Sequence, residues 1–247
     1  MSTDDAYAPA AEFYDVLARG FVEALREPLA SALAGANPTV GPVLDIGAGT
    51  GLSTVLVAEA IADAEILAIE PSPSLRAILL SRLAARDDLR GRVTVLPRTF
   101  EQAEAHLPTH VGGAVVLGSL GHLQTAERGR LWEFLARGLG PGCPGVVQLL
   151  APERPEGQPL TRFASEQIGR RTYEGWSAAE PAGAQCLRWT MTYRILENGR
   201  LLEERTVRQN YATPGQAALV AEAAAAGLEC EPVTSELLRV VRPTTIQ

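Results

Sequence analysis

The stretch Val43-Leu-Asp-Ile-Gly-Ala-Gly-Thr-Gly-Leu-Ser-Thr54 decides the fold. A short apolar run carrying Asp45 enters a turn with three glycines, Gly47, Gly49 and Gly51, and helical spacing resumes from Ser53 to Ala62. A strand that feeds a glycine turn and opens a helix is the unit of a parallel α/β sheet. It puts a bound ligand at the carboxyl edge of the strands. Glycine suits such a turn because the backbone bends tightly there and approaches the ligand with no Cβ in the way.

The rest of the chain repeats this grammar. Upstream, Phe13, Leu17, Phe21, Leu25 and Leu29 recur every four positions and predict one helix over Ala10–Leu33, ended by Gly35 and Pro38. Downstream, apolar runs at Glu65–Ile69, Arg92–Leu96, Gly113–Leu117 and Gly145–Leu150 alternate with helical segments such as Ser74–Ala85 and Thr125–Leu139. Strands apolar on both faces predict a mostly parallel sheet with helices on both faces. After Pro152 the texture changes. Residues 153–185 hold Pro, Gly, Glu and Arg with scattered aromatics and read as a surface insertion. Leu187–Ile195 and Leu202–Tyr211 then alternate around Glu197-Asn-Gly-Arg200, a hairpin signal. A helix over Pro214–Ala226, closed by Gly227, precedes two last strands at Glu229–Val233 and Leu237–Val241. The simplest organisation is a single domain over 1–247, with a helical cap at 1–40 and an inserted lid and β-hairpin at 153–211.

Composition narrows the partners. The chain has 247 residues, 46% hydrophobic and 21% charged, enough for a sizeable core. A formal charge of −7 weighs against nucleic acid and anionic membranes, whose binding relies on clustered cations. Every basic residue is Arg, which with abundant Ala, Gly and Pro reads as the codon bias of a GC-rich genome. Cys143, Cys186 and Cys230 are odd in number and widely spaced, without a CxxC pair or Cys/His cluster, so no metal site is expected. Reduced thiols, an acidic start MSTDDAYAP and the lack of an apolar run of about 20 residues predict a soluble, cytoplasmic protein without a membrane partner.

The glycine loop excludes two phosphate-binding readings. A dinucleotide fingerprint G-x-G-x-x-G would need glycine at Leu52 or Thr54, and a P-loop would need a lysine that this chain lacks. What Asp45-Ile-Gly-Ala-Gly-Thr-Gly51 resembles is the first motif of the class I S-adenosylmethionine-dependent methyltransferases of small-molecule type, and the resemblance extends over nearly the whole chain. It implies a Rossmann-like α/β fold with an antiparallel last strand and a lid and hairpin insertion after the fifth sheet strand. It further implies that the backbone of Gly47, Ala48, Gly49 and Gly51 wraps the methionine part of S-adenosylmethionine, with Asp45 near its ammonium group directly or through water. Glu70, ending the second strand, would accept hydrogen bonds from both ribose hydroxyls, since a carboxylate can hold a vicinal diol with two charge-assisted bonds. Pro71 and Leu75 would pack on adenine. Thr99 stands where the family often has an adenine-binding Asp, so its hydroxyl or the Phe100 backbone takes that role. Gly118 would offer its carbonyl to the ammonium group, with Ser119 beside it, and Tyr14 belongs to an aromatic helix that closes over the cofactor.

The implied activity is methyl transfer from S-adenosylmethionine to a small-molecule acceptor, in keeping with secondary metabolism. The alternatives are a methyltransferase-like protein that binds the same cofactor for a non-methylating reaction such as cyclisation, and a nicotinamide-dependent module. Of three histidines, His106 and His110 flank Pro108 in a polar connection, whereas His122 follows the fourth strand on the ligand edge and is the candidate base. Phe163, Tyr173, Trp176, Trp189, Met191, Tyr193 and Tyr211, with Arg162, Arg170 and Arg171, concentrate in the insertion. They either bury one face of the hairpin or wall an acceptor pocket.

Overall fold

The computed structural model describes residues 5–149 and 155–243. The expected end of the fifth strand at Leu150 and the start of the insertion at Glu153 lie outside the described residues. The chain opens with helices α1 (Ala11–Ala24) and α2 (Arg26–Ala32), where one helix was expected. Pro28 is the reason. Its nitrogen cannot donate to the Ala24 carbonyl, and its ring crowds that same carbonyl, so the helix breaks at Leu25 while the apolar spacing runs on.

The alternating part follows in the expected order. It comprises β1 (Val43–Ile46), α3 (Leu52–Ala60), β2 (Ile66–Ile69), α4 (Pro73–Ala84), α5 (Asp87–Arg90), β3 (Val93–Leu96), α6 (Phe100–Glu104) and β4 (Gly113–Val116). A short 3-10 turn at Leu120–His122, α7 (Thr125–Gly138) and β5 (Gly145–Gln148) complete it. Beyond the insertion come α8, β10 and β11, at Gly215–Ala225, Glu229–Pro232 and Leu237–Val241; the four insertion strands between β5 and α8 take β6 to β9. The main sheet has seven strands in the order β10-β11-β5-β4-β1-β2-β3. Strands β1 to β5 are parallel, and β11 runs antiparallel to both β5 and β10. Strands β1 and β4 are neighbours although β2 and β3 lie between them in sequence. The winding therefore reverses there, and the reversal opens a crevice at the carboxyl ends of β1 and β4.

Helices cover both faces of the sheet. On one face Leu29, Val57, Leu79 and Leu83 pack on β1 and β2; on the other Trp132, Leu135, Leu219 and Ala223 pack on β4 and β5. Arg128 is buried on the second face and is neutralised by Glu222, which also accepts from the Trp132 indole.

The insertion is more regular than its sequence promised. Strands β6 (Gln158–Ile168), β7 (Arg171–Gly183), β8 (Cys186–Glu197) and β9 (Arg200–Ala212) form an antiparallel meander in that order. Its turns are two residues each: Gly169-Arg170, Ala184-Gln185 and Asn198-Gly199. The last has φ of 51° and 76°, both in the left-handed region, the type I′ geometry that matches strand twist. Nothing lies within 4 Å of where a Cβ on Gly199 would project. Gly199→Ala therefore carries only the backbone penalty and should lower stability by about 1–2 kcal/mol, measured as a shift in the urea midpoint with an unchanged slope. Helix α1 joins the meander to the main sheet: Phe13 is fully buried and stacks on Tyr193 at 5.0 Å, with Leu17 and Ile195 beside them.

Candidate functional site

The site forms where β1 and β2 end. Gly47 and Ala48 both donate through their backbone N–H to the Ile69 carbonyl, at 2.9 and 3.0 Å, so the glycine loop is tied to the end of β2. Gly47, Gly49 and Gly51 have φ of 78°, 57° and 84°, a region that L side chains rarely enter. Their surroundings differ. A Cβ on Gly47 would meet Ser119, and one on Gly51 would meet Leu79, whereas one on Gly49 would enter open space. Gly49 is thus the point where bare backbone faces the crevice.

Glu70 locks the same loop from the other side. It is buried, with Oε2 accepting from the Gly49 N–H at 2.8 Å and Oε1 from the Ser72 N–H at 2.7 Å. An ionised carboxylate has about four acceptor positions, so one remains on each oxygen. Burial pushes its pKa up, and the two backbone N–H groups pull it back. Ser72 also caps α4 through its hydroxyl to the Leu75 N–H, and Pro73 follows at the first helical position. Asp5 reaches this helix start too, accepting from the Ser72 hydroxyl and the Ser74 N–H.

Asp45 sits beneath the loop, fully buried. Its Oδ2 accepts from Thr54 and Ser53 at 2.6 and 3.1 Å, while Oδ1 has no partner among the described residues. Burial raises its pKa to about 6; the two hydroxyls oppose that shift and the nearby Glu70 charge adds to it.

Two cavities meet at the loop. The first, about 310 Å³, is lined by Tyr14, Gly47, Gly49, Glu70, Pro71, Leu75, Thr99, Phe100, Gly118, Ser119 and His122, among others. The second, about 240 Å³, lies between α1, the loop and the meander; Tyr14, Gly47, Ala48, Gly49, Leu117, Gly118 and Gln148 are part of its wall. Tyr14, Gly47, Gly49, Leu117 and Gly118 border both cavities. Of the fourteen residues singled out from sequence, twelve line one cavity or the other. Asp45 and Gly51 line neither, because Asp45 points under the turn and Gly51 turns the chain against Leu79.

Local chemistry gives several of these residues a second task. Thr99 caps α6 in a reciprocal box with Gln102, so its hydroxyl already accepts one bond. The Ser119 hydroxyl donates to the Ile46 carbonyl at 2.8 Å, bracing β1 against the segment after β4. His122 Nε2 lies 2.8 Å from the Tyr7 hydroxyl, and the rings of Tyr7 and Tyr211 meet it edge-on. Burial lowers the His122 pKa, which keeps the imidazole neutral near pH 7. His122 lines the first cavity and not the second.

The insertion residues divide between the two expected roles. Phe163, Met191 and Tyr193 line the second cavity, while Tyr173 packs edge-on against Phe13 and Trp189 against Tyr211. The guanidinium groups of Arg162 and Arg194 both lie over the Trp176 ring, and Arg162 pairs with Glu174. None of Arg162, Arg170 and Arg171 lines the second cavity. Sequence reading missed Gln148 and the anchoring Asp5. Gln148 had a faint signal: it is the one polar side chain inside the apolar run Gly145–Leu150, and it ends the observed strand.

No family model and no curated protein matches the sequence. Solved structures match the fold. DesVI of Streptomyces venezuelae superposes with a TM-score of 0.75 at 20% identity, over 98% of this chain and 100% of that one. The sugar N-methyltransferase KedS8 from Streptoalloteichus sp ATCC 53650 gives 0.69 at 21% identity, over 94% and 92%. CalS10, an amino pentose methyltransferase from Micromonospora echinaspora involved in calicheamicin biosynthesis and solved with S-adenosylmethionine bound, gives 0.69 at 19% identity, over 90% and 92%. At these identities the likeness establishes the fold: a mostly parallel seven-stranded sheet with helices, joined by an antiparallel hairpin sheet. Among the described residues no helix is long and apolar enough to cross a membrane, and no group of three metal-ligating side chains occurs.

Proposed function

We propose that this protein is an S-adenosylmethionine-dependent methyltransferase whose acceptor is a small molecule of secondary metabolism, with an amine on a sugar-like scaffold as the methylated group. The observation that carries the proposal is the Glu70 carboxylate in the wall of the first cavity, bonded to the Gly49 N–H and with acceptor positions to spare. Loop and acid, 21 residues apart in sequence, thus act as one binding element. The residues fit the cofactor chemically: Glu70 for the ribose hydroxyls, Pro71, Leu75 and Phe100 for the adenine faces, Thr99 for its edge, and the Gly47–Gly49 backbone with Gly118 and Ser119 for the methionine end. The orphaned Asp45 Oδ1 supports a water-mediated link to a cation above the loop.

S-adenosylmethionine, when bound, supplies an electrophilic sulfonium methyl group. What the chain must add is alignment of the nucleophile and exclusion of water. Tyr14 and the shared glycine backbone join the two cavities, so an acceptor in the second abuts a cofactor in the first. His122 is the candidate proton acceptor, since it is neutral near pH 7 and its ring is held by Tyr7 and Tyr211. Because it borders the first cavity alone, an amine that attacks as the free base suits this arrangement better than a hydroxyl needing a base in contact. KedS8, a sugar N-methyltransferase, and CalS10, an amino pentose methyltransferase, point the same way.

The test is calorimetry followed by turnover. Purified protein should bind one S-adenosylmethionine per chain and release S-adenosylhomocysteine when supplied with aminodeoxy sugars. Binding of NADH without binding of S-adenosylmethionine would overturn the proposal. Cofactor binding without product, across amino-sugar and hydroxylated acceptor panels, would favour a non-methylating role.

A further inference from the structure

Granting that the second cavity holds the acceptor, we infer that Gln148 selects it: the side-chain amide donates a hydrogen bond to a neutral oxygen of the portion that enters the cavity. Gln148 ends β5 at the carboxyl edge of the sheet, next to the strand that leads into Leu117 and Gly118. It is 1% exposed and lines the second cavity, yet its Nε2 has no partner among the described residues. A buried amide donor left unpaired is costly, and native structures keep one where a ligand or an ordered water completes it.

The rest of that wall says what kind of group completes it. Phe13, Leu17, Met191 and Tyr193 share that wall with Gln148, and among the described residues no charged side chain lines the cavity. A phosphate or carboxylate placed there would lose its hydration with no countercharge to replace it. The portion that enters is therefore uncharged and mostly apolar, and a hydroxyl or carbonyl oxygen answers the amide. Charged parts of an acceptor remain outside the cavity.

A second account competes for the same donor. Gln148 also borders a small void with Tyr211 and Thr213, whose buried hydroxyls have no partner among the described residues, so one water there would satisfy all three. The experiment separates the two. Methyl 3-amino-3-deoxy-β-D-glucopyranoside and its monodeoxy analogues are titrated into protein saturated with S-adenosylhomocysteine, using wild type, Gln148→Met and Thr213→Val. Gln148→Met should bind the parent glycoside at least tenfold more weakly, with S-adenosylhomocysteine affinity and melting temperature little changed. One monodeoxy analogue should bind wild type and Gln148→Met alike, identifying the oxygen that is read. Thr213→Val should bind as wild type does.

Parent affinity unchanged in Gln148→Met would overturn the assignment, as would failure of the wild type to bind any of these glycosides. Failure to bind S-adenosylhomocysteine at all would instead strike the cofactor proposal, so the two failures are distinguishable.

Discussion

Glu70→Gln is expected to weaken S-adenosylmethionine binding at least 100-fold, about 2.7 kcal/mol, and to do so no less than Glu70→Ala. The expectation comes from both ends of the carboxylate. Toward the cavity, Glu70 offers charged acceptor positions for two hydroxyls, and hydrogen bonds to charged groups contribute about 1.5–3 kcal/mol each. Toward the protein, each oxygen already accepts a backbone N–H, from Gly49 and from Ser72. An amide has one oxygen, so its NH2 must face one of those N–H groups, donor against donor. Alanine leaves room for water to satisfy both. If Glu70 served the ribose alone, the amide would keep part of the affinity and rank clearly above alanine. Calorimetry on the two variants decides, with amide hydrogen exchange at Gly49 and Ser72 reporting whether the loop has come loose.

Asp45→Asn should act in opposite directions on stability and on binding. The carboxyl is fully buried, and burial is the main cause that lifts its pKa from 3.8 to about 6. A folded-state pKa above the unfolded one means that the folded protein prefers the protonated form. The contribution to stability is complete below pH 3.8, declines as pH rises toward 6, and is absent above it. A difference of about two units corresponds to roughly 3 kcal/mol. Asparagine carries no charge to desolvate and can still accept from Thr54. The ligand-free variant should therefore be more stable than wild type at pH 8, by up to about 3 kcal/mol, with the gap closing near pH 4. Its affinity for S-adenosylmethionine should fall more than tenfold, because the negative charge under the loop is gone. Denaturant titrations at pH 4.5 and pH 8, with and without cofactor, measure both effects. A variant less stable than wild type at pH 8 would contradict the desolvation argument, and unchanged affinity would contradict the role of the charge.

How much of this was legible in the sequence varies with the range of the physics involved. The strand, glycine loop and acid were readable because each is a local pattern whose spacing fixes its place at the sheet edge. The loop's bond to Glu70 was not, since Gly49 and Glu70 meet only after β1 and β2 pair. Helix α1 read as continuous with α2 because Leu25 and Leu29 keep the apolar phase; Pro28 was visible but was outweighed by periodicity. Phe21 looked like a core residue in that series, yet it is 46% exposed and stands at the second cavity. Strand β6 gave no alternating signal, because all but one of its residues are exposed and it exists by pairing with β7. Gln148 belongs to no spacing motif. Its interest lies in a missing partner, which no reading of residue order can show.

The turns of the meander bear on how the chain comes together. Three connections of two residues each close at little entropic expense, and the pairs they join are near neighbours in sequence. The main sheet depends on distant pairings, such as Val43 with Gly113, and on crossovers that must be laid down first. The portion inserted last in the alternating pattern is thus suited to zip up early in folding. The ligand crevice waits for the slower closure of β1 against β4 and for Phe13 to dock on a surface already formed.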